Sequence, residues 1–542
     1  IGRDLRADIH TLSIAQLSRE LDSGRLGPVD LMAATLARIE AVEPRVGAFV
    51  SIAEDEAMAA ARVAEREIAA SGRRGPLHGI PVGHKDNIDV RGMATTAASR
   101  VQGRPVAAED SAVARRLREA GAIAVGKLNL LEYASGTLGV YGYTRNPVVA
   151  GGSPGGSSSG SGAAVAAGLL PGATGTDTGS SVRNPAAYCG VVGLRPTRGS
   201  VDGSGVIPLS WSQDTVGPLA RTVEDVALLL EGIGGPSLGA RLREPGAPLR
   251  FAAPIRFYRE DLDPEIAAGI ERAVRVLERA GNLRDEIELP GTEFAPAASW
   301  TIAYTEAFLY HERRFAARPR EFTPWFLRKI VAAGLLSARD AVLAVRVRRL
   351  LRMRYASAFE RVDVLVVPTT RGLPTSPYEP AAGPDGVLRW NDDFASVARP
   401  ASLLGLPAIS VPVGAARDGS PLAVQLIAGP HGEAAVLRAA QQIEDAVGAA
   451  HVVDPPQTGG LGRPDHRPAP LRLRGVREDI DAGWVIREAA LRGIGYLTED
   501  DAAVMAPLIG AAKAQLDAAA DELPLDDDGS TASAREPLRA SS

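Results

Sequence analysis

Apolar positions near the start of the chain recur at helical spacing. Residues 12–21 and 29–42 each carry one apolar stripe, the first with Thr11 or Ser13 as cap and the second closing near Pro44. Residues 53–70 predict a longer, alanine-rich helix. Short β-rich runs then follow at 80–82, 123–125, 191–194, 362–367, 408–413 and 422–427, with helical segments between most of them. That alternation predicts an α/β fold, a sheet covered by helices on both faces.

One stretch breaks the pattern. Residues 151–190 read GGSPGGSSSGSGAAVAAGLLPGATGTDTGSSVRNPAAYCG. The opening glycines and serines by themselves read as a flexible linker. The apolar run 163–170 reads instead as a buried helix. Small residues return from Gly175 to Ser181, and an Arg-Asn-Pro sequence reads as a closing turn. Two serine-bearing turns around a buried helix bring hydroxyls and backbone N–H groups together, as an oxyanion site needs. A phosphate loop is the competing reading, but no Gly-Lys-Ser/Thr ending and no dinucleotide fingerprint accompany it.

GGSSSGSGAAVA followed by GTDTGSSVRNPAA resembles the signature of the amidase signature family of serine hydrolases. GIPVGHKDNIDVRGM (79–93) resembles that family's lysine segment. GKLNLLEYASG, YTRNP, CGVVGLRPTRGSV, DTVGPLARTVEDVALLL and ARPASLLGLPAISVPVG stand in the family's order. The resemblance spans roughly residues 8–450 and implies a mixed central sheet wrapped by helices.

It also implies a Lys–cis-Ser–Ser triad of Lys85, Ser157 and Ser181, with a cis peptide between Gly156 and Ser157. Ser181 is then the nucleophile, Ser157 the proton relay and Lys85 the base. A serine hydroxyl needs such a base, and lysine serves only when neutral, so burial or nearby positive charge must lower its pKa. Lys85 closes an apolar run (Ile80, Val82) and is the only lysine before Lys127. The oxyanion hole falls to the N–H groups of Thr178, Gly179, Ser180 and Ser181. Beside them, Asp177 and Arg183 read as a pair locking the loop, and Ser158 as a hydroxyl orienting the relay.

Two features depart from the family pattern. Ser180 stands where many members have glycine, so two serines are adjacent; Ser181, directly before Val-Arg, matches the nucleophile. His84 stands beside the lysine, yet strand neighbours point to opposite faces. No Gly-x-Ser-x-Gly elbow supports a Ser–His hydrolase.

The net charge of −5 argues against a nucleic-acid surface. The single cysteine, Cys189, excludes an intrachain disulfide, fits a reducing, cytoplasmic setting and reads as buried packing. Seven histidines show no metal spacing, so neither metal nor cofactor is expected. No eighteen-residue apolar run and no signal pattern point to a membrane; the start at Ile1 fits a processed or truncated terminus. Trp300, Tyr304, Phe308, Tyr310, Trp325 and Phe326 cluster in a chain with 5% aromatics, either as a substrate pocket or as helix packing. Arg313 and Arg314 are candidates to face a substrate carboxylate, and the basic run 346–354 reads as a solvated helix face.

Four segments result: a catalytic domain (1–452), a Pro/Gly-rich linker (453–475), a helical extension (476–524) and a disordered acidic tail (525–542). Helices at 480–491 and 498–523, the latter capped by Thr498 with acids behind it, weakly resemble the small helical subunit of the tRNA amidotransferase. The expected function is hydrolysis of a small-molecule carboxamide, carbamate or urea-type C–N bond through an acyl-enzyme. The alternatives are the amidase subunit of a glutamine-dependent amidotransferase, or a non-catalytic amidase scaffold. No membrane partner is expected, and a homodimer is left open.

Overall fold

A computed structural model describes residues 9–136, 140–239, 242, 244, 246–374, 395–456, 479–492 and 494–523. Eleven strands form one mixed sheet: β1 (Phe49–Ile52), β2 (Pro81–Lys85), β3 (Ile123–Leu128), β4 (Gly172–Asp177), β5 (Val192–Arg195), β6 (Thr215–Ala220), β7 (Arg250–Ala252), β8 (Leu283–Asp285), β9 (Val364–Pro368), β10 (Ala408–Ala415) and β11 (Pro421–Ile427). Their order is β1-β3-β2-β4-β6-β5-β10-β11-β9-β7-β8. β2 lies between β3 and β4 and is parallel to both. The strand ends at Lys85 and Asp177 therefore open on the same edge, where open α/β sheets place their ligands.

Both faces are buried, which explains continuous apolar strands rather than alternating ones. In β9, Val364 and Val366 join a core with helices Val223–Gly232, Pro264–Arg279 and Glu433–Val447, while Leu365 and Val367 join the core under helix Ala338–Arg361. Helix Ser159–Ala166 is wholly buried against β4 and helix Arg183–Cys189. Small residues are required there. A Cβ on Gly175 would stand 2.7 Å from Ser158 Oγ.

The structure revises several expectations. Helix Pro28–Val46 runs through Pro44 and ends at Gly47 in the left-handed region. The carbonyl that Pro44 leaves without its helical donor belongs to exposed Glu40, where water can satisfy it. The Arg-Asn-Pro sequence does not close a turn but starts helix Arg183–Cys189, a position proline tolerates because the first N–H groups need no helical acceptor. β4 was hidden because GATGTD carries no apolar alternation; full burial among neighbouring strands makes it a strand. The first residues of the expected linker are docked: Val453 N–H donates to Ala166 O (3.0 Å), and Arg38 pairs with Asp454 (2.7 Å). The rest of that linker from 457 and the tail 525–542 lie outside the described residues.

Helices Ala482–Leu491 and Glu499–Glu522 form a hairpin against helices Ala295–Ala317, Pro324–Gly334 and Ala338–Arg361. Thr498 caps the second through Asp501 N–H, in a full capping box. Val485, Ala489, Met505 and Ile509 share one apolar cluster with Trp325, Phe326 and Ile330. The pairs Arg328–Asp501 (2.7 Å) and Lys513–Asp340 (2.8 Å) border it.

Candidate active site

β2 ends at Lys85, whose side chain is buried at the end of the sheet with 0% exposure. Its Nζ lies 2.7 Å from Ser157 Oγ, 2.7 Å from Thr176 Oγ1 and 3.3 Å from Thr176 O. Burial lowers its pKa from 10.5 to about 7, and the carboxylates of Asp214 and Asp177 only partly oppose that. A neutral amine has two N–H donors and one lone pair. Donation to both Thr176 oxygens leaves the lone pair for the Ser157 hydroxyl proton.

Ser157 follows a cis Gly156–Ser157 peptide. Three main-chain N–H donors fix its surroundings. Leu131 N–H donates to Ser157 O (3.1 Å), Ser158 N–H donates to Ser181 O (3.2 Å), and Gly156 N–H donates to Asn184 Oδ1 (2.9 Å). The two serine turns are thereby held side by side. Ser181 is 8% exposed against 1% for Ser157 and Ser180, so it is the serine most open to a substrate.

The loop from Thr178 to Ser181 joins β4 to helix Arg183–Cys189. Among the described residues the N–H groups of Gly179, Ser180 and Ser181 donate to no protein acceptor. Val182 N–H, by contrast, is committed to Asp177 Oδ2 (3.1 Å) and Asn184 N–H to Ser180 O (2.7 Å). Unspent donors at a helix N-terminus suit a developing oxyanion.

Asp177 and Arg183 pair beside this loop. Arg183 Nε and Nη2 reach the two carboxylate oxygens at 3.0 and 2.9 Å, and Arg195 Nη1 adds a contact at 3.0 Å. Burial by itself would raise the Asp177 pKa, but the two guanidinium groups overcome it and hold the carboxyl well below the usual range. Arg183 also donates to Ser402 Oγ (2.6 Å) and Ala398 O (2.9 Å). Ser158 touches neither Ser157 nor Ser181 through its hydroxyl. It bonds instead to the main chain of Thr176 (3.3 Å), and so braces the residue that holds Lys85.

Sequence reasoning missed Thr176, Arg195 and Asp214. Asp214 accepts from Thr178 Oγ1 (2.5 Å) and from the N–H groups of Leu209 (2.9 Å) and Ser210 (3.0 Å). Burial raises its pKa to about 6. Only its place in a quoted motif hinted at it. His84 points away from Lys85: its Nδ1 meets Thr174 Oγ1 at 3.1 Å, and burial lowers its pKa to about 3. Cys189 is buried beside Pro154 O (3.4 Å), with its thiol pKa pushed up by burial.

The aromatic residues divide. Trp300 and Tyr304 meet as tilted rings with centroids 5.2 Å apart, and Tyr304 bonds Ser135 beside the Ser157 turn. Phe326 packs with Tyr133 and Phe322, and Phe308 with Phe315. Arg313 is exposed and Arg314 lies over the Tyr310 ring (5.2 Å), so these two are not brought to the site. The basic run is not a free solvated face either, since Arg354 donates to Pro290 O (2.6 Å) and Arg348 to Ser212 Oγ (3.2 Å).

The amidase family model matches residues 30–437. A glutamyl-tRNA(Gln) amidotransferase subunit from Symbiobacterium thermophilum is 39% identical over 470 residues, 79% of this chain and 95% of that protein. The structure of native peptide amidase from Stenotrophomonas maltophilia is similar with a TM-score of 0.67 and 31% identity, covering 82% of this chain and 98% of that one. That of 6-aminohexanoate cyclic dimer hydrolase is similar with a TM-score of 0.73 and 27% identity, covering 81% and 98%. No described helix is long and apolar enough to cross a membrane.

Proposed function

The chain belongs to the amidase family, and from that premise we propose that it breaks a carboxamide C–N bond by acyl transfer to Ser181. Neutral Lys85 takes the Ser157 proton as Ser157 takes that of Ser181. The Ser181 oxygen then attacks the carbonyl carbon, and the N–H groups of the 178–181 loop bind the oxyanion. Collapse expels ammonia or an amine, which receives the proton back through Ser157. Water then releases the acid by the same relay. The carrying observation is the 2.7 Å contact of a fully buried Lys85 with Ser157. Labelling by a fluorophosphonate, mapped by peptide mass, tests it. Label on Ser181 that is lost in Ser181→Ala and kept in Ser180→Ala supports the reading. Label on Ser180, or full turnover by Ser181→Ala, refutes it.

The same chemistry has two settings. In one, the chain is a self-sufficient hydrolase of a linear amide, with residues 1–452 catalytic and 476–524 a helical extension. In the other, it is the amidase subunit of an amidotransferase that passes ammonia to a partner. The curated relatives at 36–39% identity bear the amidotransferase name, and this favours the second setting over the first. An amidotransferase component should hydrolyse glutamine and need its partners for full rate. A self-sufficient hydrolase should turn over its amide alone.

A further inference from the structure

The hydrogen bonds that lead away from Lys85 return to Ser157 by a closed path. Asp86, the residue after Lys85, is buried and paired with Lys127 (2.9 Å). It accepts from Thr96 N–H at Oδ2 (3.1 Å) and from Ala97 N–H at its carbonyl oxygen (3.0 Å). Ala97 O accepts in turn from Tyr133 N–H (2.9 Å), and Ser99 Oγ donates to Glu132 Oε1 (2.6 Å). Leu131 N–H then reaches Ser157 O (3.1 Å), and Ser157 Oγ is the partner of Lys85 Nζ. Neither turn on this path is relaxed. Ala97, Ala98, Tyr133 and Ala134 have φ of 49°, 50°, 44° and 64°, a region that residues with a Cβ keep only where their surroundings hold them.

Glu132 joins the two turns through its side chain. It is fully buried, and its second oxygen, Oε2, accepts from the N–H (2.8 Å) and the hydroxyl of Thr323, at the start of helix Pro324–Gly334. The space around it is filled. A Cβ on Gly136 would stand 2.7 Å from Glu132 Cβ and 3.1 Å from Phe326 Cβ. A carboxyl group gripped by three donors in so tight a place fixes its own turn and the one that faces it.

We propose that Glu132 is a positioning residue for the proton relay: it pins the 131–135 turn to the 96–99 turn and so sets Ser157 against Lys85. The inference rests on the acyl-transfer reading at Ser181 and adds to it a residue that touches none of the reacting atoms. Misplacing a reacting group by about 1 Å can cost about a hundredfold in rate, so a side chain that holds the relay from behind is worth a large factor.

The test is the rate constant for fluorophosphonate labelling of Ser181 at saturating probe, measured on the full-length protein. A fold defect lowers the amount labelled and leaves the rate of the folded remainder unchanged; a displaced relay lowers the rate itself. Glu132→Leu should slow labelling by about thirty- to a hundredfold, with the inflection at about pH 7 unmoved because Lys85 stays buried. Glu132→Gln should stay within about threefold of the wild type, since its amide oxygen can accept from Thr323 and its N–H can donate to Ser99 Oγ. Ser99→Ala cuts only the link between the turns and should slow labelling by about three- to tenfold, which keeps the test decisive if Glu132→Leu does not fold. Thr323→Val loosens Glu132 from the helix but spares the path, so it should melt earlier and label within about twofold of the wild-type rate. An unchanged rate in folded Glu132→Leu or in Ser99→Ala, a Glu132→Gln as slow as Glu132→Leu, or an equal loss in Thr323→Val overturns the proposal and leaves Ser181 the nucleophile. Label mapped to Ser180 refutes the acyl-transfer reading, and this proposal with it.

Discussion

Replacing Lys85 by methionine should abolish activity while making the protein more stable. Lowering the lysine pKa from 10.5 to about 7 corresponds to on the order of 5 kcal/mol between its two protonation states. The unfolded chain binds that proton more tightly, so stability rises with pH between about 7 and 10.5. The penalty is present in full below pH 7 and is gone above 10.5. Methionine fills nearly the same volume without the charge. It gives up the contacts with Ser157 and Thr176, each worth about 1 kcal/mol. At about pH 6 the variant should therefore gain a few kcal/mol, shrinking toward nothing near pH 10. The activity readout is the rate of fluorophosphonate labelling at Ser181 against pH. In the wild type it should rise through about pH 7 as Lys85 loses its proton. In Lys85→Met it should fall by about 10²–10⁴ and lose that inflection. A variant that labels at the wild-type rate, or that is less stable than the wild type at pH 6, would refute a neutral, buried lysine base.

Asp214→Asn removes the carboxylate that most opposes the lowering of the Lys85 pKa, so the acid limb of the labelling profile should move to lower pH. The rate should fall by up to about a hundredfold as the loop loosens at Thr178; an unmoved limb would contradict the coupling. Arg183→Met leaves Asp177 with a buried charge and one guanidinium, and should cost about 3–5 kcal/mol in urea unfolding. An unchanged midpoint would show that Arg195 alone suffices. Met505→Ala should cost about 2–5 kcal/mol and shift the loss of activity and of tryptophan fluorescence together, since the hairpin shares a core with Trp325. A hairpin that melts ahead of the body would show separate folding.

Much of the candidate site was legible through resemblance, because its parts lie in short contiguous motifs similar to those of the amidase signature family. Lys85 is an isolated lysine closing an apolar run, and Ser157 and Ser181 stand in glycine-rich turns that no flexible linker would follow with a buried helix. Thr176 was not legible. It is one small residue in GATGTD, and its role comes from a strand whose identity depends on neighbours distant in the sequence. Arg313 and Arg314 sit near the aromatic cluster in sequence, but the structure leaves Arg313 exposed and lays Arg314 over the Tyr310 ring.

Local patterning determined what this chain can decide locally: which segments are helices and where several of the buried strands run; the residues expected to carry an acyl transfer came from the resemblance of its motifs to a family. Periodicity and motif spacing are properties of neighbours along the chain, so one sequence suffices to show them. Tertiary structure decided the proton affinity of Lys85 and the guanidinium clamp on Asp177. Each of these is a sum of burial and Coulomb interaction over groups that only folding brings within a few ångströms.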